Sequence, residues 1–354
     1  MKPSIALLPL SALYSAVTRA RLAAYRRGWV SVFKLTAPVI SVGNLTTGGT
    51  GKTPLVEWVC RAIAGEKTTE DLPERKVCVL TRGYGRHNPK TQLVVSNGTK
   101  VLAGVQQAGD EALLLAVSLI GVAAVIANPD RVAAGEWASK NLNAQCFVLD
   151  DGFQHLRLAR DLDIVTIDAT NPWGGGSLLP SGRLREPRAG LSRADCVVIT
   201  RTEQALDLPS IRKVVEQFVG AVPIFSSRMV TSGIRKLDGE SADEASLKSQ
   251  KLGAFCGVGN PESFFHQLRS EGLVPVFTRT FADHHKYSES EVDALVRDAK
   301  SRGVESLITT AKDAIKLSAL KLDLPCYVLE IQISIDEEDR LIDIVRSTCQ
   351  KRER

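Results

Sequence analysis

Residues 38–54 read PVISVGNLTTGGTGKTP. Val39, Ile40 and Val42 form a short β-branched run, the mark of a buried strand. Gly48, Gly49, Thr50, Gly51, Lys52 and Thr53 follow, and Leu55, Val56, Val59, Cys60 and Ile63 then recur at helical spacing. Strand, glycine loop, helix is the context of a phosphate-binding loop. Glycines lack Cβ, so their N–H groups can close around an anion. The helix that begins near Thr53 adds its positive end. In such a loop Lys52 reaches the β- and γ-phosphates of a nucleotide, and the Thr53 hydroxyl ligates Mg²⁺. The common form has glycine six residues before the lysine, where this chain has Thr46. A glycine turn without a ligand is the competing reading. It does not account for Gly-Lys-Thr where a strand hands over to a helix.

The alternation continues downstream. Residues 76–80 are an expected strand, running into Thr81-Arg-Gly-Tyr-Gly-Arg86. Arg82 and Arg86 flank a turn that can approach a phosphate or be a plain turn. Residues 108–120, AGDEALLLAVSLI, read as a buried helix with Asp110 as an ordinary N-cap and Glu111 complementing the dipole. Residues 122–127 are another strand, ending at Asn-Pro-Asp-Arg131. Cys146-Phe-Val-Leu-Asp150-Asp151 is an apolar strand ending in carboxylates. Beside a P-loop strand, such an aspartate holds Mg²⁺ directly or through water. Gln154 and His155 add polar groups at the carboxyl end of the sheet, where open α/β folds bind ligands. Strands are expected at 163–168 and 196–200, and a short one at 223–226. The long glycine-rich loop after Pro172 marks function. Arg183 or Arg185 within it is a candidate charge clamp on transferred phosphate.

Bulk properties set limits. A chain of 354 residues is long for one core, so two domains are expected. The net charge of +5 is too mild to imply nucleic acid by itself. Seven cysteines, an odd number with no CxxC pair, read as buried thiols, not as a disulfide frame or zinc site. Residues 3–18 carry no charge, but the run is shorter than the ~20 residues that span a bilayer, and Pro9 interrupts it. Arg19, Arg21, Arg26 and Arg27 follow, with Tyr14, Tyr25 and Trp29 suited to the headgroup level. This apolar-then-basic segment reads as a membrane-associating helix; the competing reading packs it on its own domain.

Residues 236–250 are polar and read as a hinge or exposed loop. Strand and helix then alternate to the end, without a second P-loop. The expected organisation is α/β, as two α/β/α domains, with a mostly parallel sheet in the first. A helix occupies 1–30, the P-loop domain 31–230, a linker 231–250 and a smaller domain 251–354. The side on which the last helix packs is left open. Of Asp283-His284-His285, one histidine beside a carboxylate is favoured over a metal pair, because adjacent side chains on a strand point apart.

Taken in order, SVGNLTTGGTGKTP, TRGYGR, AGDE, NPDR, LDDGFQH, LLPSGRLREP, GVGNP, FADHHKY and TTAKDAIKL resemble the tetraacyldisaccharide 4′-kinase family of P-loop NTPases, to about residue 317. The family usually has TEKD where this chain has TAKD, so Ala311 replaces a glutamate. The resemblance implies phosphorylation by ATP and Mg²⁺ of the 4′-hydroxyl of an acylated glucosamine disaccharide 1-phosphate. The product is lipid IVA, on the way to lipid A. It implies two α/β/α domains that face a cleft and are joined by a two-stranded linker, in a peripheral enzyme held on the cytoplasmic face of the inner membrane by its N-terminal helix. No obligate protein partner is inferred. Carried over by motif, Gly48, Gly49, Thr50, Gly51, Lys52, Thr53 and Arg131 bind nucleotide, and Thr53, Asp150 and Asp151 hold metal. Asp110 becomes the general base, partnered by His284, or by His285 if the register slips by one. Lys52 and Arg185 assist transfer. The alternative is a regulatory NTPase of the ParA or metallochaperone type, whose GGTGKT-like loops carry a second lysine where this chain has Thr47. That substitution, and the absence of a Cys/His cluster, count against it.

Overall fold

A computed structural model describes residues 7–65 and 75–350. The start of the expected N-terminal helix, most of a polar insert expected at 65–75, and residues 351–354 lie outside them. In chain order the elements are α1 (Leu8–Arg26), β1 (Val39–Asn44), α2 (Lys52–Ala64), β2 (Val77–Thr81), β3 (Leu93–Ser96), α3 (Val105–Ala108), α4 (Asp110–Ser118), β4 (Ala123–Ala127), α5 (Arg131–Asn141), β5 (Cys146–Asp150), β6 (Leu162–Asp168), β7 (Cys196–Thr200), α6 (Leu208–Val219) and β8 (Ile224–Lys236). There follow α7 (Glu244–Ser249), β9 (Leu252–Cys256), α8 (Pro261–Ser270), β10 (Phe277–Thr280), α9 (Glu289–Ser301), β11 (Ser306–Thr310), α10 (Ala311–Leu317), β12 (Cys326–Ile335) and α11 (Glu338–Gln350).

The strands lie in the order β10-β9-β11-β12-β8-β7-β6-β1-β5-β2-β4-β3. Neighbours are parallel except at β3–β4 and β8–β12. Helices cover both faces, so β1, β2, β4, β5, β6 and β7 are buried throughout. That is why they read as continuous apolar runs rather than alternating ones. Ile40 and Val42 face one core with Val56 and Val59 of α2, while Val39 faces another with Phe147 and Val132. Val42 pairs with Asp150, which puts the first carboxylate beside the start of the P-loop.

The strand expected at 223–226 needs correction. The strands form one hydrogen-bonded sheet, because β8 runs far beyond the short strand expected at 223–226. Its start pairs with β7, and its remainder pairs antiparallel with β12 from Ser227 to Lys236. The two halves are therefore joined by a two-stranded ribbon, and the polar stretch 236–250 is a surface turn followed by α7. The last helix crosses back. Leu341, Val345 and Cys349 of α11 enter the core beneath α2, Arg346 Nε donates to the Ala62 carbonyl at 2.9 Å, and Cys349 Sγ lies 3.0 Å from Cys146 Sγ on β5. All seven cysteines are buried.

Candidate active site

The carboxyl ends of strands from both halves border one cleft of about 1530 Å³. The P-loop forms part of its floor. Gly51 has φ +79°, a left-handed backbone that favours glycine. Asn44 Nδ2 donates to the Thr46 carbonyl at 2.7 Å and to Thr50 Oγ1 at 2.8 Å, and Thr200 Oγ1 donates to the Thr50 carbonyl at 3.0 Å. The Thr50 side chain and carbonyl are thus used inside the fold, leaving its backbone N–H for an anion. Arg201, which no sequence signal singled out, closes the other side. Its Nη1 donates to the Gly49 carbonyl at 2.9 Å and to Asp168 Oδ2 at 2.7 Å.

Lys52 begins α2, with its Nζ 3.5 Å from Asp151 Oδ1, and Arg185 Nη1 lies 2.6 Å from Asp151 Oδ2. Phosphate oxygens entering here compete with one carboxylate for two cations. Burial would raise the Asp151 carboxyl, but Lys52, Arg185 and Arg131 bring it below the usual carboxylate range. Asp150 behaves oppositely. Burial, with Glu111 and Asp151 nearby, pushes it up to about 6 despite a 2.8 Å hydrogen bond from Thr81 Oγ1. Arg131 lines the same cleft, and burial pulls its guanidinium down to about 10. Asp151 Oδ1 is buried without a hydrogen-bond donor. That oxygen, whose near neighbour is the Lys52 ammonium, lines the cleft with Asp150 and the Thr53 hydroxyl, and oxygen is the donor type that Mg²⁺ takes.

Of the two arginines in the glycine-rich loop, only Arg185 enters this cleft; Arg183 lies beside Gly48 in a smaller pocket. Arg82 lines the cleft, but Arg86 is structural. Its Nη1 donates to the Ala127 carbonyl at 3.0 Å and its Nη2 to the Pro89 carbonyl at 2.8 Å.

Asp110 is not an N-cap. Gly109 holds that position at φ +81°, where a Cβ would sit 2.2 Å from the Tyr84 carbonyl oxygen. Asp110 is the first residue of α4, and its side chain is only 7% exposed. Its carboxylate oxygens lie 3.0 and 2.9 Å from His284 Nδ1, across 174 residues of chain. His284 lines the cleft and covers Asp110. The hydrogen bond that its Nδ1–H donates to the Asp110 carboxylate raises the His284 imidazole above its ordinary range. His285 turns away to stack on Phe281, with ring centroids 4.8 Å apart. The two histidines diverge because His284 adopts φ +59°. Of five described non-glycine residues at positive φ, Asp151, Arg201 and His284 line this one cleft. Left-handed backbone costs energy and gathers where geometry is functional.

A family model described as tetraacyldisaccharide-1-P 4′-kinase (LpxK) matches residues 3–350. The chain belongs to this family. A tetraacyldisaccharide 4′-kinase from Geobacter metallireducens is 42% identical over 309 residues, covering 87% of each chain. One from Syntrophotalea carbinolica is 40% identical over 338 residues, covering 95% of this chain and 89% of its own. A crystal structure of LpxK from Aquifex aeolicus in complex with ATP superposes with a TM-score of 0.77 at 30% identity, over 97% of this chain and 98% of that one.

In this member of the family, α1 both packs on the site and turns apolar groups outward. Ser11 and Ser15 are its buried residues. Ser11 Oγ donates to the Leu178 carbonyl at 3.0 Å, Tyr14 Oη to the Arg185 carbonyl at 2.9 Å, and Arg21 Nη2 to the Gln154 carbonyl at 3.2 Å. Leu10, Leu13 and Val17 are 54%, 62% and 60% exposed, so the helix shows its apolar stripe to the surroundings. No helix among the described residues is long and apolar enough to cross a membrane.

Proposed function

We propose that this chain transfers the γ-phosphate of ATP to the 4′-hydroxyl of a tetraacyldisaccharide 1-phosphate, giving lipid IVA, and that it works on a membrane surface. The observation that carries the reading is the hydrogen bond between buried Asp110 and His284, whose ring lines the same cleft as Lys52, Asp151, Arg185 and Arg131. Phosphoryl transfer is mostly positioning and charge neutralisation. Lys52, Arg131 and Arg185 supply positive charge for the transferred phosphate. Mg²⁺ held by Thr53, Asp150 and Asp151 adds charge neutralisation when bound. A sugar hydroxyl needs a group to accept its proton. The His284 ring stands between Asp110 and the cleft, so the pair takes that proton as a unit, with the imidazole meeting the hydroxyl and Asp110 holding the charge. The strands on either side of the β8–β12 ribbon act as two domains bordering the cleft. The cytoplasmic face of the inner membrane is the site that gives both ATP and the lipid. The direct test is incubation with γ-labelled ATP and the disaccharide 1-phosphate. Label in a doubly phosphorylated lipid is expected; ATP hydrolysis with no labelled lipid would favour a regulatory NTPase.

The outward stripe of α1 supports membrane contact, since an apolar face with flanking arginines suits an anionic bilayer. Each leucine removed from lipid forfeits roughly 1.5 kcal/mol or more. Leu10→Ser with Leu13→Ser should therefore weaken vesicle binding by about 10²-fold. Removal of residues 1–28 should do this and also slow transfer on detergent-dispersed lipid, because Tyr14 and Arg21 brace the loops carrying Arg185 and Gln154. Sedimentation with vesicles and an assay in detergent separate the two effects. Vesicle binding that survives the double substitution would remove the stripe from the membrane role.

A further inference from the structure

Three carboxylates surround the imidazole of His284. Asp110 contacts Nδ1 at 2.9 Å, while Glu111 and Asp283 lie 3.9 and 3.8 Å from Nε2. Left alone, this cage would hold the ring as imidazolium, with no site for another proton. One side chain reaches all three acids. Lys312 Nζ is 3.0 Å from Asp283 Oδ1, 3.4 Å from Glu111 Oε1 and 3.7 Å from Asp110 Oδ2. It lines the cleft and is only 15% exposed. Its position is locally unfavourable, since Lys312 sits in the first turn of α10, where the helix dipole disfavours a cation. The neighbouring Lys316 is taken by the buried Asp313, at 2.7 Å.

We propose that Lys312 is a positioning residue, which clamps Asp110, Glu111 and Asp283 across the cleft and so keeps His284 able to accept a proton. Asp110 and Glu111 belong to α4, Asp283 follows β10 and Lys312 begins α10, so one ammonium ties both halves of the sheet to the pair. Among the described residues, the charged and titratable groups facing the pair are Glu111 from α4, Asp283 from its own loop, Lys312 and Lys316 from α10, and Tyr84 from the turn after β2, whose ring centroid lies 5.5 Å from that of His284. Removing Lys312 leaves the acids unopposed, so both Asp110 and His284 should bind protons more tightly. The proposal rests on the pair being the proton acceptor, but its first readout does not need catalysis.

The test is histidine NMR titration of the full chain, with the His284 signal assigned through His284→Asn. In Lys312→Met the His284 midpoint should rise by about one pH unit. Lys312→Gln serves as the second neutral variant, and Lys312→Arg should stay near wild type. The acid limb of kcat/KM should move up with the midpoint, while KM for ATP stays unchanged. An unmoved midpoint in both neutral variants, or an arginine variant shifted as far as the methionine one, overturns the proposal. Failure of the proton-acceptor reading shows elsewhere, as full activity in Asp110→Asn.

Discussion

Lys52→Ala should lower phosphoryl transfer by about 10²- to 10³-fold, or roughly 3–4 kcal/mol of transition-state stabilisation. The folded protein should survive. Lys52 contributes a 3.5 Å ion pair to Asp151, which keeps Arg185 at 2.6 Å when the lysine is gone. A partly exposed pair of this kind contributes about 1 kcal/mol or less. Arg185, which the glycine-rich loop places against the second carboxylate oxygen, and Arg131 remain on the cleft, but neither starts the helix that follows the glycine loop. Steady-state transfer and a thermal melt, measured on one preparation, check both halves. A folded Lys52→Ala enzyme with normal turnover would remove the P-loop from the mechanism.

The parts legible in the sequence were those whose environment acts locally. A strand buried on both faces writes an uninterrupted apolar run, so β1 and β5 could be read with the P-loop and carboxylates at their ends. Longer-range features were not legible. β8 is buried only in patches, because its partner changes from β7 to β12 along its length, and β12 lies about ninety residues further on. No local periodicity records such a strand, and the two-stranded linker was implied only by the family resemblance. α1 inverts the usual pattern, with serines inward and leucines outward, so its apolar residues said nothing about where it docks. Lys312 stands beside Ala311 in the TTAKDAIKL stretch, with nothing local to mark its role. Its meaning comes from three acids brought together by tertiary structure. Arg201 directly follows β7 as Asp151 directly follows β5, so its place just past the carboxyl end of a strand is written in the sequence.

Asp110→Asn should lower kcat by about 10²- to 10⁴-fold and change KM for ATP little. Asparagine keeps the size of the side chain but cannot take up a proton at neutral pH. Nor can it hold a charged imidazole in place, a role whose loss costs about 10⁴ in rate in serine hydrolases. Loss of a helix cap does not confuse the outcome, since the N-cap is Gly109. Some stability should go, because His284 and Lys312 lose a buried anionic partner. That loss is about 1–3 kcal/mol, so kcat must be measured well below the melting temperature. His284→Ala should also slow transfer. If the two side chains act as one unit, the double variant should lose less than the sum of the single losses. Additive losses would mean that each acts on a different step. Near-normal kcat in Asp110→Asn would end the reading, and the base would then have to be Asp150 or Asp151. Of these, Asp150 is the stronger rival because burial pushes it up to about 6, close to a working pH. Its carboxylate accepts from Thr81 at the end of β5, while the ion-paired Asp151 is held below the usual range. Asp150→Asn assayed beside Asp110→Asn therefore separates an acceptor on the cleft from a carboxylate fixed beneath the phosphates.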